Sequence, residues 1–327
     1  MMTIQKADPR LLPQRRGTNI AIEIIMDWLQ ATLRWAAPLL IVAVGEVYAE
    51  RSGVINMGIE GIMLFGALTG IAAGFYLDSL VLAVIFTIVI GAFMGLIVAF
   101  LTVSRRTNQV VTGLMINMIS LGATDALFSL MSETRQSRVA TFPIIFPKGM
   151  QSIPLIGPLL FAQPVSTWVA LILPVFAAYI LYKTRWGLNV RAVGDNPKAA
   201  ATAGLSVIRL KYQTVILSGI SAALGGCVLT LGEVGYFSAG GMAAGRGFIV
   251  MAACVVGGWD PIRTAVVCLA FGAADAAQLR FQTTGSVIPY QFLQMLPYIV
   301  TIIALTIMVK RSCVPKTWGS AYDPKDV

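Results

Sequence analysis

The chain contains no histidine, which restricts the chemistry that its side chains can perform. A Ser-His-Asp triad, a Cys-His pair and a histidine-containing metal site are all excluded. The four cysteines form no Cys-x-x-Cys pair, so neither a disulfide nor a cysteine-ligated metal is expected. The sequence also contains no Gly-x-x-x-x-Gly-Lys-Ser/Thr motif, and therefore no P-loop for a nucleotide. We expect no catalytic residue, no metal and no cofactor in this chain.

A stripe of small and polar residues lies within one apolar stretch. Gly113, Asn117, Ser120 and Thr124 recur at i, i+4, i+7 and i+11, and so share one face of a helix. Such a stripe within a membrane faces protein or a water-filled path rather than lipid. Hydrogen bonds between helices explain Ser120 and Thr124 at least as well as a path does. The larger amide of Asn117, at mid-span, favours the path.

Ionisable residues at membrane depth are costly and are usually paired or functional. Glu60 lies near Asn56 in a glycine-rich polar stretch, and Asp275 lies well within a later apolar run. Asp275 could instead pair with Arg280 and have a purely structural role. For Arg246, a solvated loop end is as good an explanation as a functional role. The low number of such charges favours a neutral solute. The candidates for a solute path are Asn56, Glu60, Asn117 and Asp275.

The composition identifies the elements that must position these residues. Hydrophobic residues make up 57% of the 327 and charged residues 12%, about half the charged content of a soluble domain, and the mean hydropathy is +0.79. An all-α, polytopic membrane protein is therefore predicted, with about eight to ten transmembrane helices, some broken or re-entrant. The apolar runs fall near 29–48, 54–76, 80–103, 110–131, 165–183, 212–232, 247–259, 264–281 and 289–309.

The distribution of Lys and Arg indicates the orientation. Basic residues collect in both tails, in the Arg105–Arg106 turn and in 184–211, and the positive-inside rule places all four in the cytoplasm. This rule also explains the net charge of +9, so no nucleic-acid partner is expected. Three spans before Arg105 give an odd number, which we attribute to a broken or re-entrant helix at Glu50–Gly61. The expected organisation is a basic cytoplasmic-side tail at 1–28, a transmembrane domain at 29–311 and a cytoplasmic tail at 312–327, within the cell (inner) membrane.

One polar segment interrupts this apolar chain: GLNVRAVGDNPKAAATAGLS, from Gly187 to Ser206. Asp195 or Asn196 can cap a helix that begins at Pro197, and Gly204 can supply the left-handed turn that ends it. A helix of about seven residues is unstable alone, because its nucleation cost is spread over few hydrogen bonds. We therefore expect it to dock on another surface.

Five stretches carry a family resemblance. They are ERSGVINMGIEGIMLFGA (50–67), TNQVVTGLMINMISLG (107–122), RAVGDNPKAAATAGLSVIRLKYQTVILSGISAALGG (191–226), AGRGFIVMAACVVGGWDP (244–261) and VIPYQFLQMLPYIVTIIAL (287–305). Together they resemble permease subunits of ABC importers from the branched-chain amino acid and simple-sugar branch. Within that branch, the chain is most similar to the second permease of nucleoside-type importers. The resemblance is colinear over roughly 28–323.

The resemblance implies a permease subunit that offers a path for nucleosides and performs no covalent chemistry. The implied partners are an ABC ATPase, which binds ATP and Mg on a separate chain, a related second permease in a heterodimer, and an extracytoplasmic solute-binding protein. It also implies that 184–211 is a coupling loop that docks in a groove of the ATPase. The residues that this assigns to coupling are Arg191, Gly194, Asp195, Asn196, Pro197, Ala200 and Gly204.

Three alternatives remain open from the sequence. The same architecture imports ribose-like sugars or branched-chain amino acids in other relatives. An ion-coupled secondary transporter is a second alternative, although it leaves the short docking helix unexplained. The third is a membrane scaffold or channel, in which Asn117 and Asp275 would be merely structural.

Overall fold

The computed structural model describes residues 20–131, 139–151, 157–283 and 314–320, together with 292, 295, 299, 301–303, 306 and 322. Over these residues the regular structure is helical, and the β-type pairing is one isolated bridge between Ile144 and Pro164. The prediction of an all-α protein is confirmed.

The described residues form a series of α-helices. Three π-helical turns accompany them: Phe100–Ser104 continues α3, Gly157–Phe161 precedes α6, and Val228–Val234 continues α9. The α-helices are α1 (Ile20–Arg51), α2 (Ile59–Tyr76), α3 (Leu80–Ala99), α4 (Gln109–Leu130), α5 (Lys148–Gln151), α6 (Val165–Lys183), α7 (Arg185–Asp195), α8 (Pro197–Thr202), α9 (Val207–Cys227), α10 (Arg246–Val256) and α11 (Pro261–Thr283).

Seven of these helices are long and apolar enough to cross a membrane, namely α1, α2, α3, α4, α6, α9 and α11. The polytopic membrane class is thereby confirmed. The predicted run at 247–259 forms α10, which is apolar but has 11 residues, about half the length that a bilayer requires. The predicted run at 289–309 lies largely outside the described residues.

Helix α9 lies at the centre of the bundle, where it packs against α1, α2 and α3. Glycines allow the close approach of the backbones. A Cβ atom on Gly66 of α2 would meet the backbone of Ala223, and one on Gly91 of α3 would lie 2.8 Å from the carbonyl oxygen of Gly219. Because lipid tails are as apolar as a leucine side chain, such close packing supplies much of the attraction between membrane helices.

The direction of α1 follows from the contacts at its two ends. Helix α1 ends beside α7, where a Cβ atom on Gly194 would meet the carbonyl oxygen of Arg51. Towards its start, Arg34 donates hydrogen bonds to Gln163 and to the carbonyl of Ala162, which lie just before α6. Helix α1 therefore runs towards the end of the bundle that carries α7 and α8, which we call the α7–α8 end.

The direction of α1 corrects the prediction for the N-terminal tail. Residues 20–28 are helical and lie opposite the α7–α8 end, whereas we placed them in a tail on the same side as 184–211. Helices α1, α2 and α3 then cross three times before Arg105, and the odd number needs no extra crossing. The chain is interrupted between Arg51, where α1 ends, and Ile59, where α2 begins, but this break adds no crossing, so attributing the odd number to it was wrong. Residues 1–19 lie outside the described residues.

The contact between α2 and α9 can be tested at one glycine. In Gly66→Ala the added methyl group meets the backbone of Ala223, and overpacking of this kind destabilises by about 1–3 kcal/mol. We expect a lower melting temperature of the purified protein in detergent. Gly122→Ala is the control, since no atom lies within 4 Å of that Cβ position. Equal melting temperatures for the two variants would contradict the proposed contact.

Candidate functional site

A buried, non-helical segment separates α1 from α2. Residues 52–56 and 58 are buried, and backbone N–H groups in such a place need partners, because lipid offers none. Side chains supply three of them: Ile55 N donates to Gln109 Oε1 at 2.8 Å, Asn56 N to Glu46 Oε1 at 3.1 Å, and Gly58 N to Asn56 Oδ1 at 3.1 Å. Specific side-chain hydrogen bonds therefore stabilise the break.

Asn56 joins this break to the central helix. Its side chain is fully buried, and Asn56 Nδ2 donates to Ser218 Oγ at 2.9 Å. The Ser218 hydroxyl donates in turn to Glu46 Oε2 at 2.7 Å. The amide of Asn56 thus bonds within the packed interior between α1, α2 and α9, rather than facing an open path.

Asn117, on α4, forms hydrogen bonds to the backbone within the break and just after it. Its Oδ1 accepts from Gly61 N, and its Nδ2 donates to the carbonyl of Met57, each at 2.8 Å. The first bond falls in the first turn of α2, where N–H groups lack a partner within the helix. Asn117 is partly exposed, so it supports the backbone and can still face solvent.

Glu60 connects the start of α2 to the start of α10. Its Oε1 accepts from Gly245 N at 2.8 Å, and its Oε2 accepts from Gly247 N at 2.7 Å. These N–H groups form the N-terminus of α10, which carries the positive end of the helix dipole. Since Glu60 lies in the first turn of α2, directly after the buried break, α10 begins inside the bundle. Discontinuous helices of this kind form the solute sites of many transporters.

Arg246 and Asp275 lie beside this junction. Arg246 Nη2 is 3.8 Å from Asp275 Oδ2, with side chains 15% and 13% exposed. The guanidinium also lies 5.2 Å from the centre of the Trp35 ring. Arg280, the partner we considered for Asp275, lies 3.9 Å from Asp27 instead. The ion-pair partner of Asp275 is therefore Arg246, and the pair lies within the bundle.

Three of the four predicted path residues meet at the start of α10: Glu60 and Asp275 contact it, and Asn117 braces the residue after Glu60. Asn56 lies in the interior instead. Sequence reasoning weighed Arg246 but left it out of the path residues, and it missed Glu46 and Trp35, the residue that completes the cluster. Two glycines flank Arg246, and that signal was available. No group of three or more potential metal ligands occurs within the described residues.

The predicted docking helix forms as expected. Asn196 Oδ1 accepts from Ala199 N at 3.1 Å, Pro197 occupies the first turn, and Gly204 has a φ of 84°. The helix α8 ends at Thr202, one residue before the predicted end. The cap and the left-handed turn follow from local chemistry.

Helix α8 docks on its own chain. Pro197 and Ala200 are buried, and Ala200 lies in an apolar cluster with Val190, Val193, Val207 and Leu210. We expected docking on another surface, and α7 and α9 supply it for this face. Asp195 and Asn196 are exposed on the outer side.

Two of the predicted coupling residues point into the protein. Gly194 packs against the carbonyl of Arg51, and the Arg191 guanidinium lies 5.2 Å from the centre of the Tyr182 ring. The Tyr182 hydroxyl donates to Asp260 Oδ2 at 2.8 Å. Helix α7 is thereby linked to the turn between α10 and α11.

Residues 29–305 match the family described as branched-chain amino acid transport system / permease component. The chain belongs to this permease family. It is 35% identical to the guanosine ABC transporter permease protein NupQ of Bacillus subtilis, over 92% of this chain and 98% of the relative. The nucleoside ABC transporter permease protein NupC of Lactococcus lactis is 33% identical over 89% and 94%. The putative glucose ABC transporter permease protein TsgC13 of Haloferax volcanii is 34% identical over 78% of each chain.

No solved structure matches the chain. The relatives are named as permease proteins of ABC transporters, so the break and the α10 junction belong to a permease of this family. In such a permease the membrane-embedded polar cluster is the natural candidate for contact with the solute.

The Glu60 contact with α10 can be tested by a change of one atom type. In Glu60→Gln one glycine N–H would face the NH₂ group of the amide, because Gln offers a single carbonyl oxygen. We expect a loss of about 1–3 kcal/mol of stability, measured as a lower melting temperature in detergent. Asp125→Asn is the control, since Asp125 accepts a backbone hydrogen bond through one oxygen, from Gly240 N at 3.0 Å, which Asn can also do. An unchanged melting temperature for Glu60→Gln would show that the two hydrogen bonds between Glu60 and α10 do not stabilise the protein.

Proposed function

We propose that this permease forms the membrane path of an ABC importer for nucleosides, driven by ATP that a separate ATPase chain hydrolyses. The observation that carries the proposal is the junction of α2 and α10, where Glu60 binds the N-terminus of a half-helix within the bundle. The similarity to NupQ and NupC, whose names specify guanosine and nucleosides, favours a nucleoside as the solute.

The chemistry of the junction suits a neutral, polar, flat solute. Asp275 offers hydrogen-bond acceptors, Arg246 offers donors, and Asn117 offers both. Arg246 lies over one face of the partly exposed Trp35 ring, and the other face would offer a flat surface for a nucleobase. A nucleoside carries hydroxyl groups and ring nitrogens but no charge, so its entry adds no charge to the membrane.

The junction also fits weak binding. Both carboxylate oxygens of Glu60 already accept backbone hydrogen bonds, so few of its acceptor positions remain for a solute. Low affinity lets the solute leave on the far side, and an extracytoplasmic binding protein supplies the capture.

We propose that the outer face of α7 and α8 docks in the ATPase. The residues assigned to this coupling surface are Asp195, Asn196 and Gly204 at the outside, with Arg191, Gly194, Pro197 and Ala200 shaping it from within. Closure of two ATPases on ATP would move this surface as a rigid body and switch the access of the path. A related second permease would complete the path. The α7–α8 end, which also carries residues 314–320, would face the cytoplasm.

A sugar is the second candidate solute. The similarity to TsgC13, named as a putative glucose permease, is the observation that favours it. A sugar would use the same acceptors and donors but would leave the Trp35 surface without a nucleobase. A branched-chain amino acid would bring two charges to a site that holds one arginine and two carboxylates.

Uptake by whole cells tests the solute. We expect cells that lack the gene to lose uptake of labelled guanosine or uridine, with competition in wild-type cells from other nucleosides but not from excess ribose, glucose or leucine. Cells complemented with Glu60→Gln should take up less nucleoside than cells complemented with Asp125→Asn. If nucleoside uptake survives deletion while sugar or leucine uptake falls, the nucleoside assignment is wrong and the permease assignment stands.

Capping of α8 tests the coupling surface. Asn196→Ala removes the bond to Ala199 N and should cost about 1 kcal/mol of local helix stability, so less ATPase should co-purify with the membrane-inserted permease. Ser79→Ala is the matched control, because Ser79 caps α3 in the same way at the opposite end of the bundle. Equal co-purification from both variants would argue against docking through α8.

A further inference from the structure

Residues 314–320 lie at the α7–α8 end and bond to two other parts of the chain. Thr317 N and Thr317 Oγ1 both donate to the carbonyl of Gly194, at 3.2 and 2.6 Å. Gly319 N donates to the carbonyl of Gly53 at 3.2 Å. This segment therefore ties the last turn of α7 to the break between α1 and α2.

Trp318, in the same segment, reaches a buried carboxylate. Its Nε1 donates to Glu50 Oε2 at 3.1 Å, and the Trp259 indole donates to the same oxygen. The two indole rings meet edge to face, with centres 5.7 Å apart. Glu50 is fully buried, so replacing either donor leaves a buried carboxylate with fewer partners, which is costly.

Trp259 belongs to the turn that follows α10. It is 1% exposed and has a φ of 56°, a backbone conformation that a bulky residue adopts only when its surroundings hold it. The Arg51 side chain donates to its carbonyl at 2.8 Å. Glu50, Arg51 and Trp318 thus fix the position of this turn.

Helix α10 links this turn to the solute site. It starts at Arg246, where Glu60 binds the flanking glycines, and ends at Val256, just before the turn. Its 11 residues form one short, rigid element. A displacement of Trp259 therefore moves the N-terminus of α10 relative to Glu60.

We propose that Thr317, Trp318, Glu50 and Trp259 form a transmission joint that passes the movement of α7 to α10. This role rests on the proposed coupling of α7 and α8 to an ATPase. When Gly194 moves, Thr317 moves with it through its two hydrogen bonds, and Trp318 moves with its neighbour Thr317. The hydrogen bonds that Trp318 and Trp259 both donate to Glu50 then pass the displacement to Trp259. These residues position the solute site and do not touch the solute.

Two conservative substitutions separate transmission from packing. Trp318→Phe keeps a ring against Trp259 but removes the donor to Glu50, and Thr317→Val keeps the shape but removes the hydroxyl that binds Gly194. Ser320→Ala is the control, an exposed position in the same segment whose backbone N donates to the carbonyl of Thr317. Each variant is assembled with the second permease and the ATPase in proteoliposomes, in the presence of the binding protein.

The measured quantity is the number of solute molecules taken up per ATP hydrolysed. We expect this ratio to fall about two- to thirtyfold in Trp318→Phe and Thr317→Val, with subunit assembly and ATP hydrolysis retained and Ser320→Ala unchanged. The double variant should resemble the more affected single variant, because both act at one joint. An unchanged ratio, or a parallel loss of assembly, hydrolysis and uptake, would overturn the joint and leave these residues a packing role.

The solute for this assay is whichever of guanosine, uridine, ribose, glucose and leucine the wild-type complex transports. Transport of ribose, glucose or leucine but neither nucleoside would refute the nucleoside assignment and still allow the ratio to be measured. Transport of a nucleoside with an equal ratio in all variants would refute the joint and support the nucleoside assignment.

Discussion

The structure depends on one constraint: backbone N–H and C=O groups inside a membrane must find partners within the protein. An unpaired group in lipid costs several kcal/mol, so a break in a helix is tolerated only where side chains replace the lost bonds. Within the part of the chain that the structure describes, such breaks lie before α2 and before α10. Glu46, Asn117 and Glu60 each bond to the backbone at one of these breaks. These polar side chains therefore have a structural reason to lie at this depth.

The two breaks adjoin because one carboxylate serves both elements. Glu60 lies in the first turn of α2 and binds the first amides of α10, so the starts of the two helices are held together. The packed contacts of α9 with α1, α2 and α3 leave little freedom for the long helices. The short element, α10, is fixed at its two ends by Glu60 and by the Trp259 turn and packs in the core along its length, so it moves only together with those two ends.

Local features of this fold were predictable from sequence and non-local ones were not. The apolar runs, the cap at Asn196 and the turn at Gly204 follow from composition and neighbouring residues. The bond of Asn117 to α2 joins residues 56 positions apart, and the side of the membrane at which α1 begins depends on its packing. Positive charge in the first 16 residues suggested the other side. Glu46 and Glu50 were recognisable as two acids within one apolar helix, but their partners were not.

The ion pair differs from the other polar contacts at the junction. The carboxylate of Glu60 accepts two short hydrogen bonds from backbone, whereas Arg246 and Asp275 are 3.8 Å apart and partly exposed. A solute can favour one state of the protein only through contacts that differ between the states. Breaking the Glu60 contacts would leave a helix N-terminus without a partner, but separating Arg246 from Asp275 leaves two groups that a polar solute can satisfy. Under the proposed function, the ion pair, rather than Glu60, is thus the part of the junction that a solute would exchange for its own hydrogen bonds.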